Sequence, residues 1–235
     1  MSKNKRAVIL AGGKGTRLKP YTAIFPKPLV PVGEQPILEI IIKQLIKHGF
    51  NHITITVNHL AELIETFFGD GSKWNIKIDY SLEDKPLSTM GPLKLIKDLP
   101  KNFLIMNGDV LTDLDYDIFY NDHIEENSLF TISSFQRIQK IDYGVLNTKS
   151  GRTLLSFDEK PTIPFEVSMG IYMANVRILD HIPDDIAFGF DHLMHKMIDE
   201  KEYPVVKLHK GYWLDIGRPS DYDKACNDIN NLLDD

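Results

Sequence analysis

The sequence predicts an α/β protein with a mostly parallel central sheet and antiparallel additions in its second half. Three observations predict it. Short apolar runs closed by glycine, such as residues 7–11 before Gly12-Gly13, look like strands buried on both faces. Segments with apolar residues at helical spacing lie between those runs. Beyond residue 128, strand-like segments follow one another closely, as antiparallel neighbours do.

Taken in order, residues 7–11 (Ala-Val-Ile-Leu-Ala) form the first strand. Pro20, Pro26, Pro28 and Pro31 keep the next stretch extended. Residues 36–48 form a helix, with Ile37, Ile40, Ile41, Leu45 and Ile46 on one side and Gly49 as its stop. Residues 53–57 are β-rich, 60–68 are helical and end at Gly69, and 76–80 alternate as a strand. A short helix follows Gly91-Pro92, where proline suits a first turn. Residues 103–106 form a buried strand ending at Asn107-Gly108-Asp109. This β–α alternation implies right-handed crossovers. Strands at 129–135, 143–147, 153–158 and 167–173 are the expected antiparallel additions. Residues 188–200 form a helix with a core stripe of Phe190, Leu193, Met194 and Met197. Strands at 205–208 and 212–216 and a helix over 219–233 close the chain. No repeat, low-complexity segment or linker interrupts it, so residues 1–235 read as one domain.

The 235 residues are 43% apolar and 26% charged, which is globular usage and argues against disorder. The single Cys226 excludes a disulfide framework and a cysteine zinc site, and reads as a packed thiol in the last helix. His192 and His195 lie one helical turn apart without a third ligand and read as structural or exposed. No apolar run approaches the roughly 18 residues that span a bilayer. The run at 7–11 is shorter than the apolar region of about 7–15 residues in a signal peptide. A cytoplasmic protein is expected.

Charge is unevenly placed. Lys3, Lys5, Arg6, Lys14, Arg17, Lys19 and Lys27 give the first 33 residues +7 with no acid, so the rest carries −13 of the net −6. A basic segment on an acidic chain suggests a focused anion site, while the acidic remainder argues against a nucleic-acid polymer as partner. Lys3, Lys5 and Arg6 read as a solvated tail. Lys14, Arg17 and Lys27 do not, since they stand among glycines and prolines directly after a strand.

The loop Leu10-Ala11-Gly12-Gly13-Lys14-Gly15-Thr16-Arg17-Leu18 allows backbone N–H groups to approach phosphate oxygens. It is not a dinucleotide fingerprint, because Leu18 stands where the third glycine belongs. It is not a Walker loop, because Gly15 follows Gly13-Lys14 where Ser or Thr is required. Together with Phe25-Pro26-Lys27-Pro28-Leu29 it resembles the signature of the sugar-1-phosphate nucleotidylyltransferases. The resemblance continues in the family's order through residues 83–93, Asn107-Gly108-Asp109, Tyr143-Gly144-Val145, Glu159-Lys160-Pro161, Ser168-Met169-Gly170-Ile171-Tyr172 and residues 211–219.

That resemblance implies a Rossmann-like three-layer α/β/α sandwich without a C-terminal β-helix. The implied reaction joins an NTP and a sugar 1-phosphate into an NDP-sugar and pyrophosphate, with Mg²⁺ as cofactor. Leu10, Ala11, Gly12, Gly13, Gly15 and Thr16 would cradle the nucleotide. Arg17 would hold the departing phosphates, where a planar fork of donors suits them. Lys27 would stabilise charge at the α-phosphate. Glu83, Leu87, Ser88 and Gly91 would frame the base, beside Asn107 and Gly108. Asp109 and Asp215 would hold the metal and face the sugar phosphate. Gly144, Glu159, Lys160 and Ser168 would receive the sugar phosphate. Asp113 and Asp115 read instead as turn and helix-cap residues. The chain departs from the family at Ser88, usually Gly, at Met90, often Ala, and at Ser168-Met169, usually Asn-Ala.

Residues 86–93 resemble GDP-mannose type enzymes, and the compact length resembles guanylyltransferases for mannose- or heptose-type sugars. GTP is therefore the expected nucleotide. Gly69-Asp70-Gly71-Ser72-Lys73 also resembles compact uridylyltransferases, including the N-acetylmuramate 1-phosphate type. The alternatives are a uridylyl-, thymidylyl- or cytidylyltransferase, or a regulator that binds nucleotide sugar without turnover. Relatives of this kind are often dimers or tetramers, which admits a homodimer.

Overall fold

A computed structural model describes residues 4–13, 15–58 and 60–233, with side chains through Ile229. Lys3 and Lys14 lie outside the described residues. Chain order gives strands β1 (Lys5–Leu10), β2 (Pro31–Val32) and β3 (Gln35–Pro36), then helix α1 (Ile37–Lys47), β4 (Phe50–Val57) and α2 (Ala61–Phe68). There follow β5 (Lys77–Leu82), β6 (Asn102–Asn107), β7 (Val110–Thr112), α3 (Tyr116–Glu125) and β8 (Phe130–Lys140). The chain ends with β9 (Val145–Thr148), β10 (Leu154–Asp158), β11 (Thr162–Asn175), α4 (Phe190–Asp199), β12 (Val205–His209), β13 (Trp213–Asp215) and α5 (Pro219–Leu233).

Seven strands form the main sheet in the order β12-β8-β11-β6-β1-β4-β5. Only β11 runs against its neighbours, so the sheet is mostly parallel as expected. Alternation along each strand builds two cores. In β1, Ala7 and Ile9 face one side and Val8 the other; in β6, Leu104 and Met106 oppose Phe103 and Ile105. Apolar faces of α1, α2, α3 and α5 cover the first core, while Leu193 and Met197 of α4 cover the second. Winding runs from β1 through β4 to β5 and resumes at β6 on the other side of β1. Open α/β sheets place ligands at such a switch point, beyond the carboxyl ends of the strands.

Two expectations are corrected, and the two closing strands find their places. The strands near 143–147 and 153–158 pair only with each other, as a β9–β10 hairpin outside the main sheet. Residues 205–208 join the sheet edge, in parallel with β8, while β13 leaves the sheet and pairs with β7. Lys5 and Arg6 are not a solvated tail: both are buried in β1. Lys5 is ion-paired to Asp117, and Arg6 donates to Thr54 Oγ1 at 2.9 Å and to the Asp98 carbonyl at 3.0 Å. Buried cations need such partners.

Candidate active site

Two cavities meet at the switch point. The first, of about 280 Å³, is walled by Leu10, Ala11, Gly13, Gly15, Thr16 and Arg17 of the glycine loop, with Lys27, Pro28, Gly108, Asp109 and Gly217. The second, of about 450 Å³, is walled by Gly12, Thr56, Asn58, Glu83, Pro86, Ser88, Thr89 and Asn107. Leu10, Gly13 and Asp109 belong to both. The loop leaves β1 where Gly108 N–H donates to the Leu10 carbonyl at 2.9 Å, joining the two strand ends. Gly15 has φ +59°, and a Cβ there would meet Thr22 Cγ2 at 3.0 Å and Lys27 Cβ at 3.2 Å. Thr22 donates its hydroxyl to the Gly15 carbonyl at 2.7 Å. The glycine loop and the proline-flanked lysine therefore form one packed unit.

Four predicted charges converge in and beside the first cavity. Lys27 is ion-paired to Asp109, and both side chains are largely buried. Asp109 Oδ1 is buried without a partner. Asp215 ends β13, where it pairs with Val110, next to Asp109. Burial pushes the Asp215 carboxyl above its ordinary range, the Asp109 charge adds to that, and Lys27 and Arg17 pull it back. A Cβ on Gly217 would lie 3.7 Å from both Arg17 Nη2 and Asp215 Oδ2. Two adjacent desolvated carboxylates, one with an orphaned oxygen, suit a hard divalent cation that keeps water or phosphate oxygens at its other positions.

In the second cavity Glu83 is the buried charge. Its Oε2 accepts from Leu87 N–H at 3.1 Å, and a Cβ on Gly12 would stand 2.6 Å from Oε1. Burial raises its pKa, and the Leu87 N–H opposes that rise. Ser88 holds φ +65°, a left-handed conformation that favours glycine. The segment is latched to the start of α4: Phe188 N–H donates to Leu87 O, and Phe190 N–H to Thr89 Oγ1 at 2.8 Å.

The remaining expected residues lie elsewhere. Leu87 and Gly91 are buried behind the wall of the second cavity. Ser168 donates to Tyr172 Oη at 3.0 Å and accepts from Gly170 N–H at 3.2 Å, at a bulge where Gly170 has φ +76° against Asn107. Gly144, Glu159 and Lys160 are exposed on the segment that carries the hairpin and line neither cavity. Gly144 packs on the Phe157 ring beside Glu159. Asp113 accepts from Tyr212 N–H at 2.7 Å, and Asp115 caps α3. Thr56, Asn58, Pro86 and Thr89 are wall residues the sequence reading missed. The position of Thr56 and Asn58 at the end of β4 was the available signal.

A family model described as "Nucleotidyl transferase" matches residues 6–231. The chain belongs to the nucleotidyl transferase family. It is 34% identical to a "UTP--glucose-1-phosphate uridylyltransferase" of Synechocystis sp., over 95% of this chain and 63% of the relative. It is 29% identical to a "D-glycero-alpha-D-manno-heptose 1-phosphate guanylyltransferase" of Aneurinibacillus thermoaerophilus, over 97% of this chain and 99% of the relative. The crystal structure of HddC from Yersinia pseudotuberculosis complexed with GMP-PN superposes with TM-score 0.71 at 28% identity, covering 96% of this chain and 99% of that one. The chain thus spans under two thirds of the Synechocystis relative and nearly all of the heptose one. Among the described residues, no helix is long and apolar enough to cross a membrane.

Proposed function

We propose that the chain transfers GMP from GTP to a mannose- or heptose-type sugar 1-phosphate, releasing pyrophosphate and forming a GDP-sugar. The observation that carries the base assignment is Glu83, a buried carboxylate in the wall of the second cavity. A carboxylate accepts only. Guanine presents two adjacent donors, N1–H and the 2-amino group, to such an acceptor. Uracil and thymine present one N–H between two carbonyl acceptors, which a carboxylate repels. The heptose relative and the nucleotide bound in HddC support the same base. The Synechocystis relative favours uridylyl transfer as the second reading.

A phosphate oxygen of the sugar 1-phosphate attacks the α-phosphorus; the bond from that phosphorus to the bridging oxygen breaks, and pyrophosphate leaves with the electron pair. Backbone N–H groups of the 10–17 loop hold the phosphates. Arg17 binds the departing pair, and Lys27 offsets charge developing at the α-phosphate. Asp109 and Asp215 would hold Mg²⁺, which supplies charge neutralisation at phosphate oxygens when bound. Lys160, on its exposed segment, would meet the incoming sugar phosphate.

The test is a matrix of nucleoside triphosphates against sugar 1-phosphates with Mg²⁺, reading pyrophosphate. GTP with a mannose or heptose 1-phosphate is the expected pair, and Glu83→Gln should cut the preference for GTP over UTP roughly ten- to a hundredfold. Turnover with UTP alone would overturn the base assignment and leave the reaction class standing.

A further inference from the structure

Where β8 leaves the body, it touches the strand that carries Asp215. Arg137 holds its guanidinium over the Trp213 ring, 4.9 Å from the ring centre. That ring is fixed in turn. Its Nε1 donates to the Met169 carbonyl at 3.0 Å, and Phe135 packs on it with ring centres 5.3 Å apart. Trp213 and Asp215 stand two residues apart in β13, so their side chains leave the same face of that strand. A cation over an indole face is aimed without spending its N–H groups. The Arg137 side chain has no ion pair or hydrogen bond among the described residues. Glu166, on the neighbouring strand, accepts from Ser134 Oγ at 3.1 Å, on the opposite face of β8. The planar fork of Arg137 is therefore both positioned and open.

The sheet sets its place relative to the metal carboxylates. Tyr172 of β11 pairs with Ile105 of β6 on one side and with Ile132 of β8 on the other. Asp109 follows four residues after Ile105, and Arg137 five residues after Ile132. Both strands run antiparallel to β11, so the two residues leave the sheet at the same end and at about the same height. Two strand spacings, about 10 Å, separate them, within the reach of a long side chain plus a phosphate. Arg17 follows β1, the other neighbour of β6. The order β8-β11-β6-β1 thus sets the two arginines on opposite sides of Asp109.

We infer that Arg137 is a further substrate-binding residue: it takes the phosphate of the sugar 1-phosphate and presents its attacking oxygen from the side of Asp109 away from Arg17. The inference rests on the transfer reading above. In an in-line displacement the attacking and leaving oxygens lie on opposite sides of the α-phosphorus. With the leaving pyrophosphate on Arg17, the attacking phosphate needs a cation on the other flank, and a planar fork of donors matches phosphate oxygens.

The test measures steady-state rates of the full chain with whichever triphosphate and sugar 1-phosphate the substrate matrix selects, so a different base leaves it intact. Arg137→Ala and Arg137→Met should each raise KM for the sugar 1-phosphate about ten- to a hundredfold and leave KM for the triphosphate within about twofold. Methionine still covers Trp213, so it would rescue a residue that only shields the ring. Arg137→Lys should recover part of the loss, keeping the charge without the fork. Arg137 is exposed, so the variants should melt with the wild type. Binding is read apart from turnover in a Trp74→Phe background, where Trp213 is the remaining indole. The selected sugar 1-phosphate, or mannose 1-phosphate if the matrix is blank, should change the Trp213 fluorescence in the presence of Mg²⁺, and Arg137→Met should need about tenfold more of it. A blank matrix would sink the transfer reading, and this titration would then decide Arg137 by itself. Three results would overturn the assignment: normal KM for the sugar 1-phosphate in Arg137→Met, an equal rise in KM for the triphosphate, or a fluorescence titration that is absent or unmoved by the substitution.

Discussion

The two nucleotide cavities and the segment that carries Lys160 would serve one reaction, yet they are built in opposite ways. The cavities sit at strand ends of a sheet whose core side chains Val8, Ile9, Phe103 and Met106 have no exposed surface. Glu83 is buried, Lys27, Asp109 and Asp215 are half-buried, and Arg17 is exposed beside them. The segment extends β8 and β11 past the body, and residues 136–140, 145–158 and 162–166 are almost entirely exposed, apolar ones included. Where charges are buried, geometry is fixed before substrate arrives, and the electrostatic cost is carried by the fold. Where they are exposed, the charge costs nothing to keep, and position must come from the substrate.

The sharpest way to break that contrast is to remove charges of the strand-end site, the half-buried Asp109 and Asp215 and the exposed Arg17 beside them. Arg17→Ala, Asp109→Ala and Asp215→Ala should each lower pyrophosphate release about a hundredfold or more while circular dichroism stays native. Stability should move the other way for one conservative change. The Asp215 carboxyl is pushed up by burial and by Asp109, so its ionised form opposes folding once pH exceeds its raised value. In metal-free buffer at pH 7, Asp215→Asn should therefore gain urea resistance as it loses turnover, and the gain should fade as pH falls into the carboxylate range. Equal stability of the two proteins at both pH values would show that the pair is not strained.

Much of the buried half was legible because its signals are local. Strand ends, the glycine loop and the aspartates at 109 and 215 each sit within a few residues of an apolar run. Lys5 and Arg6 were misread because their partners, Asp117 and Asp98, are about a hundred positions away. The hairpin was misplaced on other grounds. Leu146, Leu154 and Phe157 read like sheet residues, but more than half of each remains exposed, and periodicity says nothing about which sheet a strand joins.

A medium effect separates burial from function within the body. His123 has no exposed surface, its Nδ1 lies 2.8 Å from Thr131 Oγ1, and its Nε2 has no partner. Burial lowers its pKa from 6.5 to about 4, and nearby Glu126 only partly offsets that. The folded state therefore excludes a proton that the unfolded chain accepts. Stability should fall as pH drops from about 6.5 toward about 4. Urea midpoints across that window should show the slope in the wild type and a shallower one in His123→Gln.

The smallest effects belong to the exposed segment, and they decide how it works. Leu155 is 65% exposed, so Leu155→Ser should change unfolding free energy by less than about 0.5 kcal/mol. Lys160→Ala should be equally silent in stability. The two should part in kinetics. If Lys160 meets the sugar phosphate only when substrate brings it in, its loss should raise KM for the sugar 1-phosphate with little change in KM for GTP, while Leu155→Ser leaves both alone. A Lys160→Ala enzyme with unaltered KM for the sugar 1-phosphate would place the sugar-side contacts entirely on the rigid half. Unequal melting of the two variants would instead mean that the exposed segment is held by contacts its solvent exposure hides. Either result would remove the contrast, because both regions would then share the same physical basis: charges fixed by the fold before substrate arrives.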